Sequence, residues 1–357
     1  MRRGYPIRTL VLWAILALLA AAPSSSQESQ HVAGGKARSY FSTFPQRSEV
    51  ALDPAIKAEL EGSSGDLGVE NRSVEATREF IREAVERMPK LHEPIARAVD
   101  RTVPGTDGAV PVRIYMPVDH GRFPVIFFIH GGGWVFGSVE VYDDLCRSLC
   151  HRTGALVVSV DYRLAPEHKF PAPLEDCYAA LKWTSQHAGE LGGNGRLSIA
   201  GDSSGGNLAA AVALEARDRK GPHIAYQVLI YPVTNYSFET LSYFENANGL
   251  GLSRSDMIWF WKQYLGKPAD GDNPYASPLR ARDLSGLPPA LVLTAQYDPL
   301  RDDGEAYAAR LNQAGVPVRC TRYLEMNHGF ITGGAKYPQA NRAVQQIADS
   351  LRRALSR

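Results

Sequence analysis

Leu197-Ser198-Ile199-Ala200-Gly201-Asp202-Ser203-Ser204-Gly205-Gly206 is the stretch on which the reading of this chain turns. Its first part is a run of strand formers, and the alanine-rich segment from Gly206 to Ala216 that follows has helical character. A serine between two glycines at a strand-to-helix junction is the pattern of a nucleophile held on a sharp turn. Glycine two positions before and two after Ser203 removes the side chains that would collide with neighbouring backbone. The hydroxyl is then presented above a helix N-terminus, where partial positive charge favours a developing anion.

Acyl transfer at serine also needs a base, a group that orients the base, and donors for the oxyanion. His130-Gly131-Gly132-Gly133-Trp134 follows the apolar run Val125–Ile129, so a triple glycine lies on a loop just past a buried strand. Such glycines let backbone N–H groups approach a substrate oxygen, with the residue after the nucleophile, Ser204, completing the hole. A dinucleotide loop is excluded because Phe136 stands where its third glycine belongs, and no Gly-Lys-Ser/Thr follows for a phosphate loop. Asp298 follows the strand-like Ala290–Tyr297, and His328 follows Val318–Glu325 within Glu325-Met326-Asn327-His328-Gly329-Phe330. The chain order Ser203, Asp298, His328 is the Ser…Asp/Glu…His order of sheets that carry this elbow. The candidate catalytic residues are therefore Ser203, Asp298 and His328, with Gly132, Gly133 and Ser204 as oxyanion donors.

Together, His130–Trp134, Val160-Asp161-Tyr162-Arg163-Leu164-Ala165-Pro166-Glu167, Gly201–Asn207, Tyr297–Asp302 and Asn327–Phe330 resemble the hormone-sensitive-lipase-like family of α/β-hydrolases, bacterial esterase family IV. The resemblance spans about residues 50 to 355. It implies an α/β-hydrolase fold, with a mostly parallel central sheet flanked by helices and a small helical cap. It also implies a carboxylesterase for short or medium acyl chains that uses no cofactor. Ser204 departs from the alanine usual at its position; only its backbone N–H is needed. An amidase or deacetylase with the same triad, and a hydrolase-fold ligand-binding protein without activity, are the competing readings. The presence of His328 argues against the latter.

Lys plus Arg number 39 and Asp plus Glu 38 in 357 residues. This balance gives no electrostatic footprint for nucleic acid or for an anionic membrane surface. The expected partner is a small-molecule ester, and homodimerisation stays open. Arg2, Arg3 and Arg8 precede the apolar Leu10–Ala22, which Pro23 breaks, so residues 1–26 read as a signal peptide rather than a stable membrane span. A secreted or periplasmic protein is expected, with an uncleaved N-terminal anchor as the alternative. Cys146, Cys150, Cys177 and Cys320 read as small buried apolar residues, with a disulfide from Cys177 or Cys320 left open. They lack zinc-site spacing, so no metal is expected.

Residues 27–50 read as a linker and 51–97 as N-terminal cap helices, with Asp53-Pro54 and Ser73 as helix starts. Val74, Thr77, Ile81, Ala84, Val85 and Met88 share one face of the second of these helices, and Glu83 pairs with Arg87. The catalytic domain covers 98–357. A hairpin over Val99–Val103 and Val110–Tyr115 opens it, and strands at 125–129, 156–160, 197–200, 226–231, 290–295 and 318–323 then alternate with helices. An insertion at about 236–275 carries Met257-Ile258-Trp259-Phe260-Trp261 and Tyr264. It is expected to wall the substrate pocket, with most of its aromatics serving to glue it to the sheet. Asp161-Tyr162-Arg163 and Glu175-Asp176 are expected to support the elbow, and Asp302 to position the Asp298 loop.

Overall fold

The computed structural model describes residues 50–356 apart from Ser64. The signal peptide and residues 27–49 of the linker lie outside the described residues. The sheet has eight strands: β1 (Arg97–Gly105), β2 (Gly108–Met116), β3 (Phe123–Ile129), β4 (Leu156–Val160), β5 (Gly193–Asp202), β6 (Tyr226–Ile230), β7 (Ala290–Tyr297) and β8 (Val318–Asn327). Their spatial order is β1-β2-β4-β3-β5-β6-β7-β8. β1 and β2 form the antiparallel hairpin, β2 runs antiparallel to β4, and every later pairing is parallel.

Side chains alternate across the sheet, as a strand period of two requires. Val125, Phe127 and Ile129 of β3 enter one core, while Ile126 and Phe128 enter the other. The first core is closed by α4 (Ala172–His187), α5 (Ser204–Asp218) and α8 (Arg301–Gln313) through residues such as Leu181, Leu208 and Leu311. The second is closed by α3 (Asp143–Thr153) and α9 (Pro338–Leu355), through Leu149 and Ile347. Helices on both faces explain why the inner strands β3, β4, β6 and β7 are mostly apolar, whereas β8 at the sheet edge carries Arg319, Arg322 and Glu325. All four cysteines are buried and unpaired, which settles the disulfide left open for Cys177 and Cys320.

Before the sheet come α1 (Pro54–Glu61) and α2 (Val74–Arg87). Asp53 caps the first by accepting from Ala55 and Ile56, and Ser73 caps the second by accepting from Ala76. Glu83 pairs with Arg87 at 2.8 Å as expected. On the apolar face of α2 only Thr77 is buried; Ile81, Ala84, Val85 and Met88 face a cavity instead. The insertion after β6 contributes α6 (Leu241–Glu245) and α7 (Arg254–Tyr264). It is tied to the N-terminal segment by reciprocal bonds, Leu67 N–H to Gly251 O and Gly251 N–H to Gly65 O, both 2.7 Å.

Candidate active site

The elbow follows from how closely the chain packs at the end of β5. A methyl on Gly201 would sit 2.3 Å from the Gly205 carbonyl oxygen, and one on Gly205 would sit 2.2 Å from that of Ile129. Only glycine permits either approach. Ser203 between them takes φ 55° and ψ −121°, a conformation L-residues rarely adopt. Its N–H donates to Ile230 O at 2.8 Å, and its carbonyl accepts from Val233 and Asn207. The strained residue is thus fixed from β6 and from its own helix.

Asp298 begins the loop after β7. Its Oδ1 accepts from Leu300 N–H at 2.8 Å, and its carbonyl accepts from the Asn246 amide at 3.1 Å. His328 follows β8. Its Nδ1 lies 2.7 Å from Asp298 Oδ2, and its Nε2 lies 2.9 Å from Ser203 Oγ. A carboxylate only accepts, so Nδ1 carries the proton and Nε2 is left as acceptor for the serine O–H. Tyr231 packs against the imidazole with ring centroids 4.6 Å apart. The structure therefore brings Ser203, His328 and Asp298 into one hydrogen-bonded line.

Gly132, Gly133, Ser203 and His328 line one cavity of about 360 Å³. Its apolar walls come from Ile81 and Val85 of α2, Met257 and Phe260 of α7, and Phe330 beyond β8. Gly133 has φ 59°, and a methyl there would lie 2.2 Å from the Phe260 ring, so this position is closed to side chains on two counts. Ser204 is the first residue of α5, and its N–H is one of the donors a helix leaves without an internal acceptor.

The insertion divides as follows. Met257 and Phe260 wall the cavity, Trp261 and Tyr264 are buried against Trp134, and Ile258 is exposed. The polar network expected under the elbow bears on the neighbouring glycine loop, whose His130 carbonyl packs against Gly205 of the elbow. The Tyr162 hydroxyl donates to His130 O at 3.0 Å and its ring stacks on the His130 imidazole, while Arg163 grips Asp176 through two bonds of 2.8 and 2.9 Å. Asp302 accepts from Ser242 N–H at 2.8 Å and so ties α6 to the Asp298 loop.

Asp202, given no role from sequence, is the group that joins the two halves of the site. It is fully buried; Oδ1 accepts from Gly131 N–H at 2.8 Å, and Oδ2 accepts from the hydroxyls of Tyr142 at 2.9 Å and Tyr231 at 3.4 Å. Burial pushes its carboxyl up to about 6, while the donors pull the other way. Burial also holds the Tyr142 and Tyr231 phenols well above their usual range, so both remain donors. The signal available in sequence was an acidic residue in an otherwise apolar strand end.

A family model described as alpha/beta hydrolase fold matches residues 126–332. The chain belongs to the hormone-sensitive-lipase-like α/β-hydrolases. It is 40% identical over 324 residues to the carboxylic ester hydrolase LipN of Mycobacterium tuberculosis, covering 86% of this chain and 84% of that protein. It is 39% identical over 320 residues to the carboxylesterase NlhH of the same organism, covering 88% and 99%. The solved esterase of Pyrobaculum calidifontis aligns with a TM-score of 0.80 at 45% identity, covering 85% of this hydrolase and 98% of that one. This member of the family is a carboxylesterase. No helix among its described residues is long and apolar enough to cross a membrane.

Proposed function

We propose that this carboxylesterase cleaves small esters of short to medium acyl chains through an acyl-enzyme on Ser203. The observation that carries the reading is the unbroken Ser203–His328–Asp298 line, with links of 2.9 and 2.7 Å, opening into an apolar cavity. Ser203 Oγ attacks the carbonyl carbon while His328 Nε2 takes its proton. Asp298 holds the tautomer and stabilises the imidazolium. The N–H groups of Gly132, Gly133 and Ser204 stabilise the tetrahedral oxyanion. On collapse, His328 returns the proton to the departing alkoxide, which leaves as the alcohol. Water then gives a proton to His328 and attacks the acyl carbon; carboxylic acid leaves and Ser203 recovers its hydrogen. None of these steps calls on a metal or organic cofactor.

The acyl preference rests on cavity size, at the low end of the roughly 300–1,000 Å³ typical of small-molecule sites. The basic and apolar N-terminal pattern supports action outside the cytoplasm, in the periplasm or secreted medium. The test is an ester panel run on wild type and Ser203→Ala, together with fluorophosphonate labelling. Ser203→Ala is expected to lose label and roughly 10⁴-fold or more in rate. Turnover that survives the substitution overturns the assignment.

A further inference from the structure

The residues after the oxyanion glycines are held from two sides by the segments that wall the cavity. On one side stands α7. The Tyr264 ring stacks on Trp134 with centroids 4.2 Å apart and planes 1° from parallel, Trp261 lies 4.7 Å from Trp134, and Phe260 covers Gly133. The helix is anchored at both ends. Asp256 closes a capping box with Ser253 and accepts from Val69 N–H at 3.0 Å. Lys169 Nζ donates to the carbonyls of Lys262, Gln263 and Leu265.

On the other side, α2 sends one side chain across. Arg78 Nε–H donates to Val135 O at 2.8 Å and Nη2 donates to Ala165 O at 3.1 Å. Nη1 and Nη2 each meet one oxygen of Glu167 at 2.8 Å. Val135 lies in the turn that closes the glycine loop, where Gly132 O accepts from both Val135 and Phe136 N–H at 3.0 Å. Ala165 is fastened to the same loop by its N–H to Trp134 O at 2.8 Å. Arg78 itself does not line the cavity; the part of α2 that does is Phe80 to Val85, followed by Met88 just past its end. Glu167, the last residue of the 160–167 motif, has no other role in the site. Its carboxyl is held down at about 2, first by its bond with Arg78.

We infer that Arg78 is a positioning residue for the oxyanion loop: oriented by Glu167, its guanidinium fixes the Gly132–Phe136 turn from α2 and couples the helix that walls the cavity to the donors that face the scissile carbonyl. The inference rests on the oxyanion role proposed above. A planar fork meets Val135 O, Ala165 O and a carboxylate at once; a lysine ammonium is a single point and does not. The pair is partly exposed, with side-chain accessibilities of 30% and 48%, so its ionic contribution to stability is small. Its effect belongs in the rate.

The experiment compares wild type, Arg78→Ala and Arg78→Lys by kcat and KM for p-nitrophenyl acetate, by inhibition with a trifluoromethyl ketone, and by thermal midpoint. Fluorophosphonate labelling of wild type is the reference. Both variants are expected to lose kcat, by roughly 10–100-fold for a misplaced donor, with KM unchanged. Trifluoromethyl ketone affinity should fall in step with kcat/KM, because its hemiketal oxygen uses the same donors. Unchanged kcat in both variants, or a loss confined to KM, overturns the inference. If Arg78→Ala does not fold, Arg78→Lys decides. Wild type that neither labels nor turns over defeats the serine esterase reading as well; wild type that labels while the variants keep kcat defeats this inference alone.

Discussion

Each residue of the hydrogen-bonded line was legible because each stands just past the end of a strand-like run, Ser203 on a turn into helix and Asp298 and His328 on loops, and parallel sheets collect their chemistry at that edge. Asp202 and Arg78 were not. Asp202 sits inside the quoted elbow, but its partners Gly131, Tyr142 and Tyr231 are 71, 60 and 29 residues away. No spacing rule links such positions. Asp202 also yields a prediction. Its folded carboxyl titrates at about 6 against an ordinary 3.8, because burial outweighs the donors around it. The folded state therefore holds this proton more tightly than the unfolded chain. The resulting stability is full below the ordinary value and is lost as pH rises through the folded one. Asp202→Asn keeps an acceptor for Gly131 but cannot ionise. Its thermal midpoint relative to wild type should shift in its favour between about pH 4 and about pH 6, then level off. Parallel melting curves across that range would refute the burial argument.

Among the elements, the strands and helices of the sheet were readable because each is long and strongly patterned. Even so, β5 begins at Gly193 and α5 at Ser204, each earlier than expected. Turn-like Gly193, Asn194 and Gly195 disguised the start of the strand, and the tight elbow hands over to helix without a spacer. The insertion was harder to read. The packing of Trp261 and Tyr264 on Trp134 depends on tertiary contacts that local pattern does not carry. The amphipathic face of α2 was visible, but not that it borders empty space rather than core. Ala84 lies on that face and lines the cavity. Ala84→Trp should remove room for acyl chain while leaving the reacting groups untouched. The ratio of p-nitrophenyl octanoate to acetate hydrolysis is expected to drop by roughly tenfold or more. An unchanged ratio would mean that acyl chains bind elsewhere.

For the whole molecule, composition and alternation announced a doubly wound sheet, whereas the order β2-β4-β3-β5 arises from crossovers that only three-dimensional packing defines. The four thiols show how far burial governs chemistry. Each is enclosed in one of the two cores, and burial pushes all four upward in pKa, away from the reactive thiolate. Native protein should give no rapid colour with Ellman's reagent, and denatured protein should release four equivalents. Fast reaction before unfolding would contradict this packing. The left-handed backbone of Ser203 carries a last consequence, for heat tolerance. Holding a residue with a Cβ at φ 55° costs about 1–3 kcal/mol. The chain entropy that glycine forfeits on folding is about 0.5–1 kcal/mol. Ser203→Gly, inert toward esters, should therefore melt at or above the wild-type temperature: this enzyme gives up thermal endurance to keep its nucleophile in place.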